Sequence, residues 1–131
     1  YALGEIAEIE TGRLKAIAKH LEIAFVVLVH RTMSTQRAGD IPKIQDMDGG
    51  GAVQKDADWV LGLRRPDLAL EHERPEDHES PAFRKWAEKM AAARNTAEIY
   101  SLKGRRVAWG TMRTFDFDGK LSRFSEMGER R

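Results

Sequence analysis

Cysteine is absent from the 131 residues. Neither a disulfide framework nor a thiolate metal site is therefore available, a composition that suits a reducing, cytoplasmic setting. Long apolar runs are equally scarce. The longest, IAFVVLV, occupies only residues 23–29, against the roughly 20 residues needed to cross a bilayer. No membrane span is expected, and no segment has the build of a signal peptide. A strong net charge is missing too. The balance is +1, from 22 Lys and Arg against 21 Asp and Glu, so any contact with nucleic acid must come from a local patch. Finally, no lysine is spelled into a phosphate loop. The motif G-x-x-x-x-G-K-[ST] needs glycine directly before the lysine and a hydroxyl after it. In DMDGGGAVQKDAD, residues 46–58, Gln54 precedes Lys55 and Asp56 follows it, which would set a carboxylate against the phosphates.

What is present, 41% hydrophobic and 33% charged residues, is the composition of one ordinary globular domain with its own core. The charge is unevenly laid out: residues 67–79 are acidic, while 101–106 and the last few residues are basic. Ile6, Ile9, Leu14, Ile17, Ala18 and Leu21 recur at near-helical spacing with Lys15 and Lys19 between them, which predicts an amphipathic helix over 4–21. IAFVVLV then reads as a short strand buried on both faces of a parallel sheet. From Arg31 to Gly51 periodicity is lost and a long surface loop is expected. WVLGL at 59–63 is a second apolar strand, 65–80 an acidic linker with Pro66 and Pro75, and 83–95 a helix stopped by Asn95. Residues 97–124 have strand character, with Asp118-Gly119 as the hairpin dipeptide.

This order implies an α/β fold whose sheet is parallel at one side and finishes in antiparallel hairpin strands. It begins on a helix with no strand before it. A βαβ crossover starts from a strand, so the pattern resembles the second half of a larger fold.

Three segments carry a resemblance to a known family. IAEIETGRLKAIAKHLEIAFVVLVH is similar to the helix and strand that follow the Walker B strand in the motor domain of DnaB-type replicative helicases and phage primase-helicases. DMDGGGAVQKDADWVLGLRR resembles that family's D-L-R-x-S-G-x-I-x-Q-x-A-D, followed by an apolar strand and an arginine. EIYSLKGRRVAWGTMRTFDFDGKLSRF resembles its E-I-I-x-x-K-x-R, hairpin and closing S-R-F strand. The resemblance covers about residues 4–125. It implies the C-terminal part of a RecA-like P-loop ATPase core over 1–125, lacking the Walker A segment, with 126–131 as a flexible tail. The family's motor is a homo-hexameric ring that uses ATP and Mg2+ to move 5′ to 3′ along single-stranded DNA, with a primase or a helicase loader among its partners. The phosphate loop and Walker B residues are not in this chain, so hydrolysis by this segment alone is not expected.

Residue by residue, the resemblance makes His30, at the end of the first strand, a γ-phosphate sensor; the alternative is an ordinary strand-end histidine. Lys103 and Arg105 form the K-x-R pair that reaches ATP bound by the neighbouring subunit. Alternation along a strand aims both to one face, although a basic, solvated hairpin edge would look the same. Arg106 stands where the family often has Asn. Gly49, Gly50 and Gly51 fall in the loop that lines the DNA channel, where glycine lets successive backbone N–H groups approach phosphate; the alternative is a flexible glycine loop leading into a short helix. Lys43 and Arg37 are its candidate cations, opposed by Asp46 and Asp48. Arg65 matches an arginine that packs on the nucleotide base, a task suited to a planar guanidinium, and a surface arginine is the other reading. Asp58 reads as a residue that holds a loop.

Two features are set aside on chemistry. His72 and His78 are separated by Pro75 and lack the i, i+4 spacing of a helical zinc pair, so EHERPEDHE is a solvated acidic stretch. Trp59, Trp86 and Trp109 read as core or hairpin packing residues rather than stacking platforms, although Trp109, on the hairpin, could do either. Two other functions fit parts of the pattern: another RecA-fold ATPase of recombination, repair or plasmid replication, and a non-enzymatic domain that binds single-stranded nucleic acid.

Overall fold

Helix α1, Leu3–Leu21, ends where its sequence has no glycine. Glu22 takes the left-handed conformation at φ 54°, and the Ile23 N–H closes the turn on Ala18 O at 3.1 Å. The computed structural model describes residues 3–31, 40–47, 50–105 and 110–128. After α1 come a 3-10 turn, Ile44–Asp46, and a short helix α2, Gly50–Asp56. Strand β1, Trp59–Arg64, is followed by α3, Pro66–His72, and α4, Pro81–Ala93. The chain then closes with β2, Thr96–Gly104, β3, Met112–Asp118, and β4, Arg123–Ser125. The sheet order is β1-β2-β3-β4. Pairing is antiparallel between β2 and β3, from Thr96↔Asp116 to Tyr100↔Met112, and between β3 and β4. At the β1 end, the Arg105 N–H donates to Asp58 O at 3.3 Å. The start of β1 therefore lies beside the end of β2, an antiparallel arrangement.

The chain divides into two compact units. The first comprises 1–36, 43–61 and 101–110; the second comprises 37–42, 62–100 and 111–131. Among the described residues the buried apolar side chains are few: Val60, Ala69, Met90 and Ala97, together with Pro42. Much of the 41% apolar content stays in contact with water.

In the first unit, the strand expected at 23–29 is not formed. None of residues 23–30 is in a strand, and Val26 and Leu28 are each 90% exposed. A parallel strand exists only through hydrogen bonds to its neighbours and burial of its faces, and none of the four strands lies beside this run. The segment touches other backbone at an isolated antiparallel bridge, Arg31↔Met47. Among residues 8–21 of helix α1, Thr11, Leu14, Lys15 and Ala18, at i, i+3, i+4 and i+7, are the partly covered positions; Leu14 and Ala18 belong to the expected apolar stripe, whereas its Ile9, Ile17 and Leu21 are exposed. Trp59, read as a packing residue, is 61% exposed.

In the second unit, the expected acidic linker contains α3. Pro66 sits at the first helical position, where a missing N–H costs nothing, and Asp67 lies in the first turn. Helix α4 starts two residues before its expected start because Ser80 caps it, its hydroxyl accepting the Phe83 N–H at 3.1 Å ahead of Pro81. Trp86 does pack as expected: its indole N–H donates to Leu70 O at 2.6 Å, joining α4 to α3. Asn95, φ 59°, ends α4 as its type suggests. The β3–β4 hairpin is not the two-residue turn that Asp118-Gly119 suggests. Its left-handed residue is Ser122, and Asp118 instead accepts the N–H groups of Lys120 and Leu121. Across β1 and β2, Arg64 and the Tyr100 hydroxyl both meet Glu98 Oε2, at 2.7 and 2.8 Å. Burial and the Glu98 charge push the Tyr100 phenol up. In the expected tail, the Gly128 N–H donates to the buried Asp116 at 3.1 Å.

Candidate functional site

The first unit gathers cations around the C-terminal end of α2. A helix leaves its last carbonyls without intrahelical donors, and two lysines from distant parts of the chain fill that need. Lys103, on β2, donates from Nζ to Gln54 O at 2.6 Å and to Lys55 O at 3.4 Å. Lys15, on α1, donates to Asp56 O at 2.9 Å. From one turn earlier on α1, the Thr11 hydroxyl donates to Asp56 Oδ2 at 2.6 Å. Two residues on, Asp58 collects what remains. Its Oδ1 lies 3.3 Å from Lys15 Nζ and 3.3 Å from Arg105 Nε. The Lys15 hydrogen bond foremost, then the charges of Lys15, Arg105 and Lys19, hold the Asp58 carboxyl below the usual carboxylate range.

Lys103 and Arg105 take different partners: Lys103, near the end of β2, binds the α2 carbonyls, whereas Arg105, in the turn just beyond β2, meets the Asp58 carboxylate before β1. Lys15 and Thr11 were not legible as members of this group. Their i, i+4 spacing on α1 is the only trace in the sequence.

At the other end of α2 lie the glycines. Gly50 opens the helix and Gly51 follows. A Cβ built at Gly51 would meet nothing within 4 Å, so neither packing nor a left-handed backbone demands glycine there. Gly49, Asp48 and Arg37 lie outside the described residues, as do Arg106 and Trp109. Lys43 is exposed, and its N–H donates to Asp46 Oδ2 at 2.9 Å, starting the 3-10 turn. Asp46 does not face a ligand in competition with Lys43. It is buried, with Arg31 Nη2 at 2.9 Å on the same Oδ2. The Lys43 backbone hydrogen bond, helped by Arg31 and opposed by burial, holds its carboxyl below the ordinary value. His30 is exposed, on the unpaired run before Arg31.

Arg65 belongs to the second unit. Its Nε and Nη2 clasp the two oxygens of Asp67 at 3.0 and 2.6 Å, and its guanidinium lies 4.4 Å over the Phe117 ring. A fork held on its edge and stacked on one face is fixed in plane and orientation, which a lysine could not match. In the acidic stretch, His78 stacks on Phe83 at 4.7 Å. No group of three or more His, Asp or Glu among the described residues is placed to hold a metal, and no described helix is long and apolar enough to cross a membrane.

The sequence matches the DnaB-like helicase C terminal domain over residues 3–126. The chain belongs to this family, and the family implies a RecA-like fold. Among similar proteins, the replicative DNA helicase DnaB of Pasteurella multocida is 32% identical over 129 residues, covering 97% of this chain and 23% of that protein. The corresponding helicases of Haemophilus influenzae and Rickettsia bellii are 30% and 29% identical, covering 97% and 93% of this chain and 23% and 25% of theirs. The chain spans about a quarter of the length of the curated relatives it matches.

Proposed function

We propose that this chain is the segment of an ATP-dependent, hexameric replicative DNA helicase that delivers Lys103 and Arg105 to the nucleotide of a neighbouring subunit. The reading is supported by the family match over residues 3–126 together with the position of both cations at the end of β2, Lys103 on the last carbonyls of α2 and Arg105 exposed on Asp58. A guanidinium supplied in trans stabilises charge on a transferring phosphoryl group, an effect of about 10³–10⁵ in rate. It also makes hydrolysis depend on ring assembly. Gly49, Gly50 and Gly51, with Lys43 and Arg37, would meet single-stranded DNA through its phosphates and read no sequence, as 5′ to 3′ translocation requires. His30 would sense the γ-phosphate, and Arg65 would lay its free face on the base.

The residues present fit part of the nucleotide. Lys103, Arg105 and Arg65 supply cations for phosphate and base, and their task is to bind and orient. Mg2+, which neutralises the β- and γ-phosphates when bound, finds no acidic cluster among the described residues, and no G-x-x-x-x-G-K-[ST] is present. The bare apolar surfaces support membership of a larger fold over a stand-alone binding domain. Val26 and Leu28, in one apolar run, are each 90% exposed, and Trp59 is 61% exposed; an exposed apolar run is the kind of surface that a partner covers. In the assembled motor, residues 23–29 would join a parallel sheet and His30 would then stand at a strand end.

The test is Arg105→Ala in the intact protein. DNA-stimulated ATP hydrolysis is expected to be abolished with nucleotide binding mostly kept. Equal loss of both would contradict the assignment.

A further inference from the structure

Arg105 holds its carboxylate loosely, and a second cation is already seated on the same oxygen. We infer that Asp58 is a dock that holds the Arg105 finger within its own chain, and that Lys15 is the positioning residue that keeps Asp58 neutralised when the finger leaves. The inference rests on the trans-acting role of Arg105 proposed above.

Three observations carry it. First, Lys15 Nζ and Arg105 Nε approach the same oxygen, Asp58 Oδ1, each at 3.3 Å. Either cation alone gives the carboxylate a partner, so one can depart without stranding a charge. Second, the two are not equivalent. The Lys15 side chain is 21% exposed and also tied to Asp56 O at 2.9 Å, while that of Arg105 is 67% exposed. Lys15 is built in and Arg105 is the one free to go. The contrast with Arg65 is instructive, because that fork grips Asp67 through two nitrogens at 3.0 and 2.6 Å. Arg105 meets Asp58 through Nε at 3.3 Å, a weak, solvent-screened contact of the kind that adds little to stability. Third, the backbone anchor is separate from the side chain. The Arg105 N–H donates to Asp58 O at 3.3 Å, so the turn stays in place while the guanidinium swings.

The consequence is a finger that is retracted by default. Asp58 carries one negative charge, whereas the phosphates of a bound nucleoside triphosphate present several, and the attraction between charges scales with their product. Nucleotide in a correctly placed neighbour outcompetes the dock, and an empty or misplaced neighbour does not. Idle hydrolysis is held down at small energetic cost.

The experiment compares ATP hydrolysis without DNA in the intact protein carrying Asp58→Asn, Lys15→Ala, the two together, or Arg105→Ala. Asp58→Asn removes the dock charge and leaves the carbonyl anchor; the rate is expected to rise about two- to five-fold, the range an exposed ion pair can set. Lys15→Ala leaves Asp58 dependent on Arg105, so the rate falls. Lys15→Arg restores it, and adding Asp58→Asn to Lys15→Ala lifts it above the parent level. An Asp58→Asn rate at or below the parent, with Arg105→Ala abolishing activity, overturns the dock while the finger stands. Should Asp58→Asn fail to assemble, as judged by the size of the ring in solution, Lys15→Ala decides: a rate equal to or above the parent overturns the proposal. No loss in Arg105→Ala removes the finger and the dock with it.

Discussion

Arg31 Nη2 and Lys43 N–H meet on one oxygen, Asp46 Oδ2, each at 2.9 Å. A buried carboxylate thereby ties the exit of the unpaired apolar run to the start of the 3-10 turn, and the Arg31↔Met47 bridge runs alongside.

The pH dependence of that tie follows from the lowered Asp46 carboxyl, caused first by the Lys43 backbone hydrogen bond. A folded value beneath the unfolded one contributes stability that is fully present above the unfolded pKa, about 3.9. It is lost as pH falls through the folded value. Hydrogen exchange at the Asp46 amide, which donates to Lys43 O at 3.0 Å, should stay slow from neutral pH to about pH 4 and, corrected for intrinsic rates, accelerate below it. Asp46→Ala should show the accelerated exchange at every pH, with a local loss of about 1–3 kcal/mol from an unsatisfied buried donor. Unchanged protection in that variant would mean the loop is held by something else.

Gly51 offers a cleaner separation of fold from function. Alanine there would meet open space, and replacing glycine by alanine at a compatible helical position stabilises by about 0.4–1 kcal/mol. If the loop approaches DNA phosphates closely, Gly51→Ala should therefore firm up α2 and weaken single-strand binding together, read by hydrogen exchange and by fluorescence anisotropy with an oligonucleotide. A stabilised helix with unaltered affinity would sink the channel-loop assignment.

How much of this was legible in the sequence depended on whether the signal was local. Helix α1, strand β1, the Asn95 stop and the β2–β3 pairing all follow from periodicity and residue type within short windows. Ser80-Pro81 and Pro66 are equally local and point to helix starts that the acidic composition of 65–80 obscured. Failures occurred where a segment depends on partners. The run 23–29 has the composition of a buried strand, yet a strand needs a neighbour, and none is paired to it here. Asp46 looked like a repulsive surface charge until Arg31 was found beside it, a pairing set by tertiary contact alone. The cation group at Asp58 draws on Lys15 and Arg105, ninety residues apart in the chain, and no pattern in a single sequence assembles it. The K-x-R pattern names Arg105, whereas Lys15 joins it through tertiary contact alone.

Arg65 gives the sharpest test of nucleotide recognition because its geometry is fixed before any ligand arrives. Asp67 holds its edge and Phe117 covers one face at 4.4 Å, so a base stacking on the opposite face would find a plane already oriented. Arg65→Lys keeps the charge and loses both the fork and the plane. If the residue acts by stacking, that variant should bind nucleotide nearly as poorly as Arg65→Ala, a loss of about 0.5–2 kcal/mol, or roughly two- to thirty-fold in Kd. Phe117→Leu should produce a smaller loss, since Asp67 still holds the guanidinium edge while the support beneath it goes. Titration of a fluorescent nucleotide into the intact protein distinguishes the cases. Full retention of affinity in Arg65→Lys would reduce the residue to a point charge, and retention in Arg65→Ala would leave it a structural link between Asp67 and Phe117 with no part in binding.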